Sequence, residues 1–361
     1  VIVTSWELMA RDIETLSGIV FSTAVLDEAQ AIKNPAAARS LASTRIDAGF
    51  VLALTGTPVE NRVGELWSLM RTAVPGLLGS ADQFRDQFGG PHRRGPLSRL
   101  LRPFLLRRLK EDVAKELPPL TEVDLRIELS HDERERYEDF RTGAIEELEN
   151  TRGTRDPRAR MRILAAMTRM RQLACDLRLV DGDTSSGTGT KLRRLQLLVS
   201  DLRESGHRAL VFSQFTTLLK LARQALESDG CQVKYLDGST SIKKRQAEVD
   251  AFQAGEGDVF LISLKAGGVG LNLTAASYVV HLDPWWNPAS EDQATDRAHR
   301  IGQDKPVTVY RMVAVNTIEE VVLQMHHDKR QMVDEILTGT GEGAALSTSE
   351  MMDLLRAEGI A

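Results

Sequence analysis

The chain has 361 residues, of which 42% are hydrophobic, and a formal net charge of −5 at pH 7. This length and apolar content are sufficient for about two or three globular domains and exclude a disordered chain, while the net acidity does not by itself indicate a nucleic-acid-binding protein. Two cysteines without a Cys/His cluster exclude a zinc site or a disulfide framework, and together with the lack of a membrane-length apolar run or a signal-peptide pattern they predict a cytoplasmic location.

Short apolar strands alternate with helical patterns in both halves of the chain, which is typical of parallel sheets covered by helices. The predicted strands are Val1–Thr4, Thr23–Asp27, Phe50–Thr55, Ala209–Ser213, Gln232–Leu236, Val259–Ser263 and Tyr278–Leu282. Residues 132–179 show helical spacing of apolar residues after a capping box from Ser130 to Glu133, so a helical insert is expected between the two groups of strands.

A stretch rich in glycine, serine and threonine at 181–190 predicts a flexible linker before the second group of strands. Its glycines and Lys191 are a decoy for a phosphate-binding loop, because the spacing is wrong and Leu192 stands where such a loop needs a hydroxyl residue. Capping boxes at Thr317–Glu320 and Ser347–Glu350 predict two closing helices. The expected order is sheet, helical insert, linker, sheet and closing helices.

One apolar strand pattern ends in Asp27 and Glu28, within VLDEAQ. Phosphoryl transfer to water needs a metal ion on the phosphates, a group that positions or deprotonates the water, and cations on the developing charge. Asp27 and Glu28 can supply the first two, although carboxylate pairs at strand ends are also common on ordinary surfaces. Thr55 and Thr57, in LTGTP after another strand, could connect this acidic site to the sheet by hydrogen bonds.

Two arginines supply the cationic part of the same chemistry. Arg297 and Arg300 lie three residues apart in QATDRAHRIGQ, far downstream of the acidic pair. On a helix, this spacing directs both guanidinium groups side by side at one anionic target, which suits a triphosphate. The acidic and the basic segments together suggest a nucleotide-hydrolysing cleft assembled from distant parts of the chain.

Positive charge is concentrated in two runs. Residues 92–110 carry six arginines and one lysine without an acid, and residues 152–178 carry eight arginines against two aspartates. Both runs could follow a phosphate backbone. Alternatively, the second run pairs with the acidic residues 132–149 in a helical hairpin, whereas the first run has no equally obvious acidic neighbour.

Five long motifs resemble, in the same order, those of the Swi/Snf-related ATPases of helicase superfamily two. They are DEAQAIKNP (27–35), LTGTPVENRVGELWSLM (54–70), LKAGGVGLNLT (264–274), DPWWNP (283–288) and QATDRAHRIGQ (293–303). Intermediate segments at 103–113, 167–175, 209–219 and 235–252 are similar as well, so the resemblance covers nearly the whole chain. It implies an α/β fold with two RecA-like lobes, parallel sheets flanked by helices, and a helical insertion between the lobes.

The resemblance also implies a domain division. Residues 1–129 would be the C-terminal part of the first lobe with the start of the insertion, 130–188 a helical protrusion and linker, 189–338 the second lobe and 339–361 a tail helix. The family has a GxGKT-like phosphate loop ahead of its acidic strand, and none occurs in this chain before Asp27. An N-terminally truncated, incomplete first lobe and little ATP hydrolysis by this chain alone are therefore expected.

The activity that the resemblance implies is translocation on double-stranded DNA driven by ATP and Mg²⁺, by a monomeric, nucleoid-associated protein. Asp27 would hold magnesium through water, Glu28 would act as the base, and Gln30 would couple the site to the other lobe. Arg297 and Arg300 would be arginine fingers that act only when the lobes close. Further residues implied for ATP binding or coupling are Thr55, Thr57, Gly268, Gly270 and Gln293.

The resemblance places the DNA contacts in both lobes. The implied residues are Thr4, Ser5, Arg107, Arg108, Lys265, Asn272, Thr274 and Trp286. Contacts of this kind involve phosphates and not base edges, so binding should be independent of sequence and sensitive to salt. The tandem Trp285 and Trp286 have a competing interpretation, in which they pack as a lid on their own lobe instead of stacking on bases.

Two other functions stay open. A non-catalytic module that binds DNA or a protein is favoured by the missing phosphate loop, whereas the acidic and arginine motifs favour the motor for a longer protein. A strand-separating RNA helicase fits less well, because DEAQ, the long insert at 75–179 and the tandem tryptophans follow the Swi/Snf pattern. Of the histidines, His326 and His327 are expected to be solvated helix residues and His281 to lie in the core or at a lobe interface.

Overall fold

The computed structural model describes residues 1–56, 63–88, 94–108, 110–150, 159–182, 187–267 and 270–326. This part of the chain forms two compact units, residues 1–107 and residues 108–326. Thr57, Gly268, His327, the predicted helix after Ser347 and the predicted tail at 339–361 lie outside the described residues. Within the described ranges, no helix is both long and apolar enough to cross a membrane.

The first unit is built on two parallel strands, β1 (Val20–Leu26) and β2 (Asp47–Ala53), paired in register from Val20 and Asp47 onward. Its helices are α1 (Trp6–Arg11), α2 (Ile13–Leu16), a 3₁₀ helix (Ala29–Ile32), α3 (Ala38–Ser43), α4 (Val63–Ala73), α5 (Ala81–Phe88) and α6 (Arg94–Leu101). Leu26, Ile32 and Leu69 form the core between the sheet and α4. Other apolar side chains of the strands are exposed, for example Val25 at 57% and Phe50 at 59%.

The chain before α1 differs from the sequence-based prediction. Val1–Thr4, predicted as a strand, has no regular structure, and its side chains are exposed. The physical reason is local, because Ser5 caps α1 by accepting a hydrogen bond from the N–H of Leu8 at 3.2 Å. An apolar run becomes a strand only where a neighbouring strand satisfies its backbone groups, and β1 pairs with β2 instead.

The second unit contains a six-stranded parallel sheet with the strand order β3-β8-β7-β4-β6-β5. The strands are β3 (Leu120–Ile127), β4 (Ala209–Ser213), β5 (Val233–Leu236), β6 (Val259–Ser263), β7 (Tyr278–His281) and β8 (Val307–Ala314). The helices are α7 (Lys110–Val113), α8 (His131–Asn150), α9 (Ala159–Cys175), α10 (Arg178–Asp181), α11 (Thr190–Glu204), α12 (Thr216–Ser228), α13 (Ile242–Gln253), α14 (Leu264–Gly267), α15 (Pro288–Thr295) and α16 (318–326).

Helices cover both faces of this sheet, because alternate side chains of its strands enter two different cores. Ala209 and Val211 of β4 pack with α11 and α12 in one core. Leu210 and Phe212 of the same strand pack with α13 in the other. The central strands β4 and β6 are therefore buried along their whole length, which explains their continuous apolar sequences.

The helical insert belongs to the second unit. Helices α8 and α9 pack together through Tyr137, Ile163, Met167 and Met170. Strand β3, which precedes them, pairs with β8 of the second sheet. The first compact unit ends at Arg107 and the second begins at Arg108, and along the chain the insert lies between β3 and β4 of the second sheet.

The capping box at Ser130 is present and also holds the start of α11. The Glu133 carboxylate accepts the N–H of Ser130 at 2.8 Å and the N–H of Thr190 at 2.9 Å, and it also accepts the Thr190 hydroxyl. Burial by itself would raise the pKa of Glu133, but these hydrogen bonds outweigh it and lower the pKa. The predicted linker thus ends at the first residue of α11, which Glu133 holds in place. Lys191, the lysine of the segment that only superficially resembles a phosphate-binding loop, is fully buried in α11.

Gly189 lies against this anchor, and its replacement by alanine is expected to destabilise the fold. A Cβ at this position would lie 2.5 Å from Oδ2 of Asp176 and 3.2 Å from Oε1 of Glu133. We expect Gly189→Ala to lower the free energy of unfolding by about 1–3 kcal/mol, measured by urea denaturation. Gly143→Ala in α8, where a Cβ meets open space, is the matched control and should stabilise the chain slightly. Equal stability of both variants would contradict the prediction.

Candidate functional site

The acidic pair lies at the carboxyl end of β1. Leu26 is buried, whereas Asp27 and Glu28 are exposed. Glu28 has a left-handed backbone conformation, with φ 49° and ψ 49°, and its N–H donates to Oδ1 of Asp27 at 3.0 Å. Non-glycine residues adopt this conformation infrequently, and here it turns the chain sharply from the strand into the 3₁₀ helix. Both carboxylates are consequently presented at the edge of the sheet where ligands of parallel α/β sheets bind.

A chain of side-chain hydrogen bonds connects the two motifs of the first unit. Nε2 of Gln30 donates to Oε2 of Glu28 at 2.5 Å, and Oε1 of Gln30 accepts the hydroxyl of Thr55 at 2.8 Å. The sequence-based expectation that Thr55 connects the acidic segment to the sheet is therefore met in the structure. Gln30 orients one oxygen of Glu28 through its amide, so the position of Glu28 depends on LTGTP as well as on DEAQ.

Trp6 is a neighbour of the acidic pair that sequence reasoning missed. Its Nε1 donates to the carbonyl of Asp27 at 3.1 Å, and its ring packs against the core of the first unit. Thr4 and Ser5, singled out as DNA contacts, lie just before it; Ser5 is the cap of α1 and Thr4 is exposed. The one sequence signal was the position of Trp6 directly after these two residues.

The first-unit carboxylates fit a magnesium ion that keeps part of its water shell. Mg²⁺ in nucleotide sites is bound by one or two carboxylates together with phosphate oxygens and water. Asp27 and Glu28 supply exposed hard oxygen ligands of this type. The described residues contain no group of three or more histidines, cysteines or acids that could enclose a metal ion without such help.

The arginine motif lies in the second unit, directly after α15. Asn287 caps this helix by accepting the N–H of Ala289, and Gln293 lies on it, half-buried. The helix ends at Thr295, so Arg297 and Arg300 lie in turns and not on a helix as predicted. Arg297 is buried and Arg300 is exposed. The two guanidinium groups therefore have different surroundings and are not an equivalent side-by-side pair.

Gln303, at the end of the same motif, holds these turns in place. Its Nε2 lies within 2.9–3.0 Å of the carbonyl oxygens of Thr274, Ala276 and Ala298. Its Oε1 accepts the N–H groups of the two residues that follow it. The side chain is buried, so a single amide joins the arginine turns to the segment after the glycine-rich motif. The sequence indicated the motif, but not this role.

The glycine-rich motif begins at the carboxyl end of β6. Lys265 and Asn272 are exposed, and Gly270 is exposed with a φ of +46°, which a side chain would strain. Thr274 is half-buried and accepts a hydrogen bond from Nε2 of Gln253 at 3.3 Å. Of the predicted DNA contacts in this motif, Lys265 and Asn272 are thus placed on the surface, while Thr274 is engaged within the unit.

The tandem tryptophans pack on their own unit, which is the competing interpretation of the sequence. The guanidinium of Arg171 lies 5.2 Å from the ring centroid of Trp286 and 5.7 Å from that of Trp285. Arg171 is 2% exposed and also approaches Phe215 and Oδ2 of Asp283, the latter at 3.4 Å. Both tryptophans are half-buried, and Trp286 also packs against the α8/α9 core.

The two basic runs differ in their surroundings. Arg107 and Arg108 of the first run are exposed. In the second run, Arg162 lies 4.0 Å from Glu147 of the acidic helix, as the hairpin alternative predicts. Arg178 pairs instead with Asp176 at 2.7 Å, so part of the second run is engaged inside the second unit.

Two buried histidines lie near α15. His281 lies 3.2 Å from the hydroxyl of Thr295, and burial, with a contribution from Arg311, lowers the pKa of His281 to about 3. It is a core histidine, as expected. His326 was expected to be solvated, but it is 4% exposed and its Nε2 contacts the carbonyl of Trp285. Its burial follows from the packing of α16 on Trp285 and Trp286, called the tryptophan segment below, which no local pattern indicates.

Comparison with known proteins identifies the family. The chain matches the SNF2-related domain over residues 1–179 and the helicase conserved C-terminal domain over residues 190–302. It is 31% identical to the Sulfolobus solfataricus SWI2/SNF2 ATPase core domain, with a TM-score of 0.54, over 97% of this chain and 74% of that one. The chain belongs to the SNF2-related family. The predicted fold of two RecA-like lobes with helix-flanked parallel sheets is thereby confirmed.

Other SNF2-related proteins extend the comparison. The putative ATP-dependent helicase/translocase YwqA of Bacillus subtilis is 38% identical over 98% of the chain, which covers 40% of that protein. The SWI/SNF-related matrix-associated actin-dependent regulator of chromatin subfamily A member 1 of Mus musculus is 34% identical over 99% of the chain and 36% of that protein. The chain thus spans about a third to two fifths of the length of these relatives. A second structure of the Sulfolobus solfataricus core, 29% identical with a TM-score of 0.54 over 97% of this chain and 74% of that one, is a complex with double-stranded DNA.

Proposed function

We propose that the SNF2-related protein containing this chain is an ATP- and Mg²⁺-dependent motor that translocates on double-stranded DNA. The observation that carries the proposal is the hydrogen-bonded series Glu28–Gln30–Thr55 at the carboxyl edge of the first sheet. A carboxylate held in this way is oriented without being buried, so it stays available to a water molecule. The family and the putative translocase among its relatives support the same activity.

Each residue of the two motifs has a distinct role in this proposal. Asp27 holds magnesium through water, and Glu28 positions or deprotonates the attacking water. Gln30 keeps Glu28 oriented and makes its position sensitive to neighbouring elements. Arg297 and Arg300 neutralise charge on the transferred phosphoryl group, with Gln293 beside them. The bound metal supplies charge neutralisation on the phosphates.

Sequence-independent contact with the DNA backbone is the second part of the proposal. The candidates with exposed side chains are Thr4, Ser5, Arg107, Arg108, Lys265 and Asn272. Thr274 and Trp286 are half-buried, so only part of each side chain is left for DNA. Because lysine and arginine contacts to phosphates release counterions, the affinity should fall steeply with salt. The Sulfolobus solfataricus relative bound to double-stranded DNA supports this choice of partner.

A second candidate, a non-catalytic module that binds DNA, applies to the 361 residues taken alone. Their sequence before Asp27 contains no GxGKT-like loop to hold the triphosphate. The same surface residues would then bind DNA without turnover. In either case we propose association with the nucleoid, because the proposed partner is double-stranded DNA, and we also propose that the protein is a monomer.

ATP hydrolysis with and without double-stranded DNA tests the proposal. The full-length natural protein should hydrolyse ATP faster when DNA is added, and the 361-residue chain alone should hydrolyse little in either condition. Binding of a fluorescent DNA duplex by both proteins should weaken with salt. If the full-length protein hydrolysed ATP at the same rate with and without DNA, the proposal of a DNA-dependent motor would be refuted. If it bound DNA but did not hydrolyse ATP, the non-catalytic module would be established.

A further inference from the structure

One buried carboxylate joins the tryptophan segment to the helix that precedes the arginine turns. Glu291, on α15, has no exposed surface. Its Oε1 accepts the backbone N–H of Trp285 at 2.7 Å, and its Oε2 accepts Nε of Arg311 at 3.1 Å. Both carboxylate oxygens are therefore engaged, one with the backbone before the helix and one with a strand of the sheet.

Arg311 fixes this carboxylate to the sheet. It lies on β8, next to the edge strand β3, and its Nη1 donates to Oε2 of Glu122 at 2.9 Å and lies 3.7 Å from Oδ1 of Asp124. Burial by itself would lower the pKa of Arg311, but the hydrogen bonds and charges of Glu122 and Glu291 outweigh it and raise the pKa above its ordinary value, so Arg311 is charged at every relevant pH. Glu291 is thus held against a permanent cation inside a rigid sheet.

Glu291 joins two segments that have proposed contacts to different ligands, one to DNA and the other to the nucleotide. On one side, Trp285 and Trp286 stack on Arg171, and Trp286 is a proposed DNA contact. On the other side, Gln293 follows two residues after Glu291 on the same helix, and Arg297 lies in the turn after it. A movement of the tryptophan backbone must therefore either carry α15 with it or break the hydrogen bond to Glu291.

We propose that Glu291, held by Arg311, is a positioning residue that couples DNA contact at the tryptophan segment to the placement of Gln293 and Arg297. This inference rests on the proposed function. Two hydrogen bonds to one carboxylate transmit displacement in a defined direction, which apolar packing alone does not. Coupling of this kind is reciprocal, so a change at the arginine turns also alters DNA affinity.

Protonation of Glu291 is expected to change the coupling and the stability of the fold in opposite directions, so the two effects can be told apart by their pH dependence. Burial raises the pKa of Glu291 to about 7, against the opposing effects of the Trp285 N–H and of Arg311. Below this pH the protonated carboxyl loses its charge attraction to Arg311, so the coupling weakens. The stability changes in the opposite direction, because a carboxyl whose pKa is raised in the folded state adds stability as the pH falls from about 7 toward its ordinary value near 4.5.

Other titratable groups around this site do not follow the same course. His281 on β7 has a pKa lowered to about 3, so it stays neutral between pH 6 and 8. The charged groups that face the pair are Asp292 on α15 and Glu122 and Asp124 on β3, whereas His326 on α16 lies near His281. The variant Glu291→Gln assigns a pH effect to Glu291, because it removes the titrating carboxyl group and keeps the side-chain shape.

Glu319 provides a matched control. It is equally buried, and like Glu291 it joins a cation to a backbone N–H, those of Lys191 and Ala314. Glu319→Gln likewise removes a buried carboxylate from a buried cation, but Glu319 lies on α16 and its side chain is hydrogen-bonded to Lys191, Ala314 and Cys175, not to the backbone of Trp285. A purely structural role of Glu291 would make the two variants behave alike.

The test compares Glu291→Gln and Glu319→Gln in the full-length protein. For each, the ratio of DNA-stimulated to unstimulated ATP hydrolysis is measured from pH 6 to 8, with urea denaturation alongside. We expect Glu291→Gln to lower the ratio about tenfold at pH 8 and to remove its pH dependence, and Glu319→Gln to keep the wild-type ratio. In the wild type, the ratio should fall below pH 7 while stability rises.

Three results would overturn the inference while leaving the motor intact: an unchanged ratio in Glu291→Gln, an equal loss in Glu319→Gln, or a wild-type ratio that is constant from pH 6 to 8. The last measurement needs no substitution, so a constant wild-type ratio would contradict the inference even if Glu291→Gln did not fold. A wild-type protein without DNA stimulation would instead refute the proposed function, and the coupling with it.

Discussion

Arg297→Ala in the full-length protein is expected to lower DNA-stimulated ATP hydrolysis by about a thousandfold, because an arginine on the transferred phosphoryl group contributes at least this much to kcat. Arg297 is buried directly after α15, and its turn is held by Gln303, so its guanidinium is oriented before the nucleotide binds. Arg300 is exposed and must be ordered on binding. We therefore expect Arg300→Ala to cause a smaller loss, about tenfold to a hundredfold.

The comparison needs steady-state hydrolysis at saturating duplex DNA, with DNA affinity and thermal unfolding measured on the same samples. Arg297→Lys is the matched control for charge, because lysine keeps the cation but lacks the planar guanidinium that contacts two oxygens at once. It should recover only a small part of the rate. If Arg297→Ala kept more than about a tenth of the wild-type rate, its role as a finger would be excluded.

Lys191→Met is expected to cause the largest loss of stability, about 3–5 kcal/mol in the free energy of unfolding. Nζ of Lys191 lies 2.6 Å from both carboxylate oxygens of Glu319, and neither side chain has exposed surface. Removing the cation leaves a buried carboxylate whose remaining partners are the N–H of Ala314 and the thiol of Cys175. Burial raises the pKa of Glu319, and loss of Lys191 should raise it further.

Urea denaturation followed by circular dichroism measures this loss, with the two units allowed to unfold separately. The double variant Lys191→Met/Glu319→Gln should recover most of the stability, because no buried charge is then left without a partner. Lys244→Met, at an exposed lysine of α13, should change stability by less than about 0.5 kcal/mol. If Lys191→Met alone were as stable as Lys244→Met, the prediction would be wrong.

The parts of the fold that the sequence predicted well are those with continuous apolar strands. Ala209–Ser213 and Val259–Ser263 were predicted with the observed bounds, because both strands are buried on both faces. Strands β3 and β8 were missed. Their sequences, LTEVDLRI and VTVYRMVA, contain charged residues that pair with one another across the sheet, such as Arg311 and Glu122. Each of these charges interrupts the apolar residues of its own strand, and its partner lies on a distant strand, so the local apolar pattern is weaker than in β4 and β6.

In the candidate site, too, residues within local motifs could be predicted from the sequence, whereas pairs of residues from distant parts of the chain could not. Motif order indicated Asp27, Glu28 and Arg297, and the expected hydrogen-bond connection through Thr55 is present. The partners of buried polar groups could not be predicted, because they come from remote parts of the chain and are selected by packing. Gln303 against Thr274, and Glu291 against Arg311, belong to this class. Their roles depend on geometry that a single sequence does not contain.

The position of β3 affects how the protein is made. This strand pairs with β8 along its whole length, from Leu120 and Val307 to Ile127 and Ala314. The two strands are about 190 residues apart, so at ribosomal speed they emerge roughly 10–40 s apart. During this interval the helical insert can form, but the edge that will complete the second sheet has no partner. Long-range parallel pairing of this kind is slow, and nascent chains are therefore most exposed to misassembly and chaperone capture until residue 314 has left the ribosome.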